Sequence, residues 1–279
     1  MSVVSVDTTD DISSSRRRTM KQQRRRDAVI VHTGRVSVVV GVLVLWQVAT
    51  THSWIKPVLA ETPAEVWRYL VRAGGSGELW RHTQATLSAV LLAFGLASVV
   101  GVVVGVGLGL LPRTERVLGP FLDAINAMPR IALAPVFIIY FGVTIWAKVA
   151  LAFSVVVFMV LSAARAGVRS ADSETLRLST ILGATKPQLF VKVLLPVAVP
   201  SIFAALRLGL IYSLLGVVAS EIIASRQGLG QLVAHFSGVF QLDGVYGVLI
   251  LLAVIATTLN QLMVVIERRM LRWQPPVDR

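Results

Sequence analysis

The stretch Gly183-Ala184-Thr185-Lys186-Pro187-Gln188-Leu189-Phe190-Val191-Lys192-Val193-Leu194-Leu195-Pro196 is a polar interruption between two long apolar runs. Gly183 is followed after nine residues by Val193, then one spacer, then Leu195-Pro196. Just upstream, Ser173 can cap a helix, with Glu174 in the first turn where the macrodipole favours a negative charge. Leu176 to Leu182 supplies that helix, and Gly183 breaks it at a sharp turn. Lys186 to Leu194 can form a second short helix leading to Pro196, where the next apolar run begins. Pro196 and Pro200 suit a helix start or a kink.

Outward from this stretch the chain is apolar. Of its 279 residues, 55% are hydrophobic and 15% charged. The apolar residues gather in runs long enough to cross about 30 Å of hydrocarbon. These runs are continuous rather than alternating, which argues against an outer-membrane barrel. The expectation is an all-α transmembrane protein with six spans near 36–54, 83–111, 118–143, 145–166, 197–224 and 245–266. The second is too long for a perpendicular helix, so it should tilt or protrude. Trp46, Trp54, Trp80, Tyr140 and Trp146 sit near span ends, as interface anchors do. Gly95, Gly101, Gly105 and Gly109 place small residues along the second span, which permits close helix packing.

The net charge of +12 belongs to membrane topology rather than to nucleic acid, and no nucleic-acid partner is expected. Of the 27 Lys and Arg residues, nineteen fall on one side if the N-terminus is inside, and six (Lys56, Arg68, Arg72, Arg81, Lys148, Arg226) on the other. The positive-inside rule then puts both termini and the Gly183 loop in the cytoplasm. Residues 1–35 read as a basic, disordered cytoplasmic tail, residues 36–272 as the transmembrane domain and residues 273–279 as a short cytoplasmic tail. The arginines from Arg16 to Arg18 lack the following apolar residue of a twin-arginine export signal, and Met20 is an alternative start. Between the first two spans, Thr62-Pro63-Ala64-Glu65 opens a helix with a capping box. That helix should lie at the membrane surface with Val66, Leu70 and Val71 on one face.

The Gly183-to-Pro196 spacing resembles the EAA loop of ABC-importer permeases: EAA, three residues, Gly, nine residues, Ile/Val, one residue, Leu-Pro. Further landmarks resemble the nitrate/sulfonate/taurine-type branch of the type I, binding-protein-dependent permeases. They include Thr62 to Trp67, Gly105 to Leu110, Met128 to Pro135, Phe141-Gly142, Ala166 to Arg169, Arg207 to Gly209, Val218 to Glu221 and Gly228 to Gly230. The resemblance implies a six-helix permease fold in a bacterial inner membrane. It also implies a homodimer, two ABC ATPase subunits that bind ATP and Mg, and a solute-binding protein. Coupling to the ATPase then falls to Glu174, Arg177, Leu178, Ser179, Leu182, Gly183, Ala184 and Pro196. A translocation path or gate falls to Asn126, Met128, Pro129, Arg130 and Glu221. The cargo it implies is a small anionic solute resembling nitrate, a sulfonate or taurine, while aromatic acids and a thiamine-precursor pyrimidine also fit the branch.

One departure stands out. The EAA triplet falls on Arg177-Leu178-Ser179, so an arginine replaces the glutamate that in the family faces a basic residue of the ATPase. Glu174 lies three residues earlier on the same helix face and can supply that charge; the alternative is an ATPase with a reversed partner. Arg130, after Pro129 in a span broken by Pro129 and Pro135, suits an anionic substrate. It equally suits a structural arginine paired with a backbone carbonyl or with Asp123. Arg207 reads as snorkelling to the cytoplasmic face. Glu221 reads as a gate, an interface hydrogen-bonder or a solvated helix end. His82 and His235 stand alone, so no metal site is expected. No catalytic constellation appears, and no Gly-x-x-x-x-Gly-Lys-Ser/Thr occurs, so the motor must be another chain. The rival readings are an ion-coupled secondary transporter, which calls for buried acidic residues at the midplane, and a membrane assembly subunit without a transport path.

Overall fold

A computed structural model describes residues 30–31, 33–34, 36–52 and 61–272. The basic tail over 1–29, Trp54, Lys56 and the segment 273–279 lie outside the described residues. The chain divides into two compact units, residues 1–65 and 66–279.

In the first unit, α1 (Val36–Thr51) is apolar but short. The Trp46 indole donates to the Glu61 carbonyl at 3.2 Å. The capping box forms as the residues dictate. The Thr62 backbone N–H donates to Glu65 Oε2 at 3.1 Å, and Thr62 Oγ1 accepts from the Glu65 N–H at 3.4 Å. It opens α2 (Pro63–Gly75).

The second unit is helical from there on. It comprises α3 (Glu78–Leu110), α4 (Pro112–Asn126), a 3-10 turn (Arg130–Leu133), α5 (Ala134–Phe141), α6 (Ile145–Arg169), α7 (Ser173–Ile181), α8 (Lys186–Leu189), a π turn (Phe190–Leu194), α9 (Leu195–Ile223), α10 (Leu229–Gly238) and α11 (Leu242–Met270). Among the described residues, four helical stretches are long and apolar enough to cross a membrane: α3, α6, the run Lys186–Ile223, and α11. The pair α4 and α5 makes a fifth if taken as one span, bent by 80°. The cause of the bend is local. Pro129 has no N–H to continue the α4 ladder and pushes Met128 away from helical geometry. Pro196 acts similarly at the start of α9. It cannot donate to the carbonyl of residue 192, and the ladder ahead of it widens to a π turn in which the Leu195 N–H reaches Phe190 O.

Lipid offers helices no hydrophobic drive to associate, so packing rests on close approach through small residues. A Cβ on Gly101, Gly105 or Gly109 of α3 would strike α6, at Val160, at the Leu161 carbonyl with Ala164, and at Val168 respectively. Gly95 differs, with nothing within 4 Å. Gly167 of α6 lies against Ala198 and Ser201 of α9, and Gly216 of α9 lies against Ala152 of α6. The three helices thus form one tightly packed body, sealed by Ala89, Ala93, Ala152, Leu210, Leu214 and Val217. On α2 the buried face is Val66, Tyr69 and Ala73, not the expected stripe, because Val71 points outward. Tyr69 stacks edge-on against Phe236 of α10 at 5.4 Å, in a cluster with Leu229, Leu232, Val245 and Val248. The phenol is pushed up to about 12, by burial first and then by the nearby Glu78 and Asp243 carboxylates.

Helix α10 was not anticipated from the sequence. Its signal is present: Leu229, Leu232, Val233 and Phe236 follow helical spacing after Gly228. By contrast α4 and α5 are sparsely attached, with only Gly119 and Ala134 buried along them.

Candidate functional site

Three groups of side chains carry the chemistry. The first is the segment from Asp172 to Pro196. Asp172, not Ser173, caps α7: its carboxylate accepts from the backbone N–H groups of Glu174 at 3.2 Å and Thr175 at 3.1 Å. The Thr175 hydroxyl donates to it as well, at 2.9 Å. That hydroxyl bond, with the two backbone bonds behind it, holds the carboxyl below the usual aspartate range. Gly183, at φ 82°, supplies the left-handed turn after α7, and Thr185 and Gln188 form a capping box for α8.

Between these stops α7 buries no residue. Leu178, Ile181 and Leu182 are uncovered, Leu182 to 86%. Glu174 and Arg177 are exposed one turn apart on the same face. Ser179 and Ala184 are half-buried, and the Ala184 N–H donates to the Ser179 carbonyl at 3.0 Å. Pro196 sits in the first turn of α9.

The second group surrounds the break between α4 and α5. Arg130 donates to the Val155 carbonyl at 3.1 Å, the Asn126 carbonyl at 3.2 Å and Asn126 Oδ1 at 2.6 Å. Its guanidinium lies 4.6 Å from the Phe158 ring centroid. Asp123 is not its partner; that carboxylate pairs with Arg165 at 3.4 Å. Arg130, Asn126, Met128, Val155 and Tyr212 help line a cavity of about 300 Å³. Pro129 shapes the break without lining the cavity, and Glu221 is elsewhere.

The third group is built on Glu221, which is 1% exposed and so is not a solvated helix end. Its carboxylate binds Lys148 Nζ at 3.0 Å, the Gly230 N–H at 2.9 Å and the Thr86 hydroxyl at 2.9 Å. Lys148, expected in an external loop, is 7% exposed and also donates to the Gln227 carbonyl. The Thr86 hydroxyl accepts from the Leu229 N–H at 2.9 Å, and the Gly228 N–H donates to His82 Nδ1 at 3.1 Å. The loop from Gln227 to Gly230 is thereby pinned to α3, α6 and α9. Gly228, at φ 134°, must be glycine: a Cβ there would collide with the Glu221 carboxylate. Sequence reasoning missed the roles of Lys148, Thr86 and His82 because their partners are distant in the chain, Glu221 for Lys148 and Thr86 and Gly228 for His82. Arg207 likewise pairs across helices, with Glu267 of α11 at 3.3 Å. Among the described residues no His, Asp and Glu group could hold a metal ion.

The comparisons agree with this architecture. Residues 97–272 match the family described as "Binding-protein-dependent transport system inner membrane component". The chain is 30% identical to the taurine transport system permease protein TauC of Escherichia coli, covering 85% of this chain and 88% of that one. It is 35% identical to the riboflavin transport system permease protein RibX of Chloroflexus aurantiacus, over 83% and 87%. It is 28% identical to the putative aliphatic sulfonates transport permease protein SsuC of Bacillus subtilis, over 84% of each. Among solved structures, an inward-facing MetNI methionine ABC transporter superposes with a TM-score of 0.61 at 20% identity, covering 68% of this chain and 95% of that chain. A second, an amino acid ABC transporter, gives 0.58 at 19% identity, over 72% and 97%. The fold is that of a type I ABC-importer permease, and the chain belongs to the binding-protein-dependent transport system inner membrane component family, in the company of its taurine and sulfonate permeases.

Proposed function

We propose that this permease subunit works as a homodimer, with two ATPase subunits on the cytoplasmic side and a solute-binding protein on the other, and that it passes a small anionic solute. Both termini and the loop from α7 to α9 are cytoplasmic, residues 1–35 and 273–279 are cytoplasmic tails, and residues 36–272 form the transmembrane domain. The observation that carries the reading is α7 itself. It is a capped helix with Leu178, Ile181 and Leu182 uncovered, framed by Glu174 and Arg177. A water-exposed apolar helix tip at the membrane surface is costly unless a partner covers it.

Glu174, Arg177, Leu178, Ser179, Leu182, Gly183, Ala184 and Pro196 form the coupling element. Glu174 takes the docking charge that Arg177 cannot. ATP binding draws the two ATPases together, and α7 carries that displacement to the helices. Ion-coupled transport is less well supported. The buried acid Glu221 sits near the C-terminal end of α9 and is neutralised by Lys148.

For the solute, Asn126, Met128, Pro129 and Arg130 mark the path, and Glu221 braces its outer end. The bonds of Arg130 to Asn126 and Val155 use three of its five N–H donors, leaving two to face an anion. Relatives named for taurine and aliphatic sulfonates support an anionic cargo; a relative named for riboflavin leaves much of the choice to the binding protein. The test is capture of tagged protein from native membranes in mild detergent, with mass spectrometry of the eluate. A P-loop ATPase and a solute-binding protein are expected, and Leu182→Asp should remove the ATPase. If the chain elutes without a P-loop protein even after crosslinking from a cysteine at Ser179, the importer assembly is wrong and ion-gradient uptake is to be assayed instead.

A further inference from the structure

The two chemically active regions, α7 and the Arg130 cavity, are far apart in sequence, and α4 is the element that ends at one of them. Its opposite end is bound to α6. Arg169, in the last turn of α6, grips Glu115, in the first turn of α4, with two parallel bonds of 2.9 and 2.7 Å. Arg165, one turn back, lies 3.7 Å from the same carboxylate and 3.4 Å from Asp123. Glu115 and Asp123 are eight residues apart and share a face of α4. Gly119 lies between them, with the Arg165 guanidinium 3.7 Å from where a Cβ would stand. Glu115 is only 13% exposed, and a bidentate arginine–carboxylate pair holds direction as well as distance. Since α4 and α5 bury little else, these pairs are the firm tie at that end. Only residues 170–172 separate Arg169 from α7.

From this geometry we infer that Glu115, Arg169 and Arg165 are positioning residues that make α4 follow the coupling helix, so that displacement of α7 is delivered to Asn126 and through it to Arg130. The inference rests on the coupling role proposed for α7. The chain has no cysteine, so a single cysteine at Ile125, exposed near the end of α4, reports the position of that helix. The experiment uses the assembled complex with its ATPase and measures modification of that cysteine by a water-soluble thiol reagent, with and without ATP and orthovanadate.

The expected result is a nucleotide-dependent change in rate for the otherwise unaltered chain. Glu115→Gln or Arg169→Gln should shrink that change by roughly fivefold, with the ATPase still co-purifying. The double variant Glu115→Gln with Arg169→Gln should lose no more than the larger single loss, because the two side chains act as one pair. A merely destabilising change would raise the rate in both nucleotide states rather than abolish the difference. The inference fails if the difference persists in both single variants, if the double variant loses the sum of the two single losses, or if nucleotide leaves the unaltered Ile125 reporter unchanged while the ATPase is bound. Loss of the ATPase from the unaltered chain would instead overturn the coupling role of α7.

Discussion

Glu221 carries a charge inside a packed helical body, and its bonds explain how. Three donors, from Lys148, Gly230 and Thr86, converge on one carboxylate. Removing one member of such a pair strands the other without water. Glu221→Ala or Lys148→Met should therefore cost about 3–5 kcal/mol, read as a lower melting temperature of the detergent-purified protein. The double variant Lys148→Met with Glu221→Ala should lose less than the two single losses combined, because no bare charge is left. Strict additivity would mean that the two side chains do not support one another. At Tyr69 the dependence is on pH. Its folded-state pKa, pushed up to about 12, lies above the usual tyrosine value of about 10, so the folded state favours the neutral phenol. Stability is full below pH 10 and declines as pH rises from about 10 to 12. Ultraviolet titration should show phenolate appearing late, and Tyr69→Phe should flatten the alkaline loss of stability.

At the scale of an element, α7 stands on its cap rather than on packing, since it buries nothing. The Asp172 carboxyl is held below its ordinary range in the folded protein. Its contribution is therefore present above the unfolded value of about 3.9 and is lost as pH falls through the lower, folded value. Hydrogen exchange at Glu174 and Thr175 should stay protected at neutral pH and weaken only in strong acid. Asp172→Ala should expose both amides at every pH. The α3–α6 seam behaves oppositely: it is all packing. A side chain at Gly105 would run into the Leu161 carbonyl and Ala164, so Gly105→Leu should cost about 1–3 kcal/mol and reduce the yield of folded protein. Gly95→Leu, exposed on α3 and facing open space, should be tolerated. Equal damage from both would mean that Gly95 meets a partner outside this chain.

At the scale of the whole molecule, long helices were readable because hydrophobic run length alone reports them. The break at Pro129 and the start near Pro196 were readable because proline removes a donor wherever it stands. Buried pairs were not: Lys148 and Glu221 are 73 residues apart, and nothing local marks either as buried. The side on which each loop lies is inferred from charge alone, and the fold makes that inference testable. Helix α9, at 29 residues, is roughly 43 Å long and separates the Leu182 turn from the loop holding Arg226. In a chain without cysteine, single cysteines at Leu182 and Arg226 should react with membrane-impermeant reagents from opposite sides. Leu182 should label only in inside-out vesicles, and less there when the ATPase is bound. Arg226 should label only in intact spheroplasts. Labelling of both from one side would mean that α9 does not cross. Reversed labelling would put α7 where no cytoplasmic ATPase can reach it, and the positive charges of the α6–α9 segment would then need another explanation.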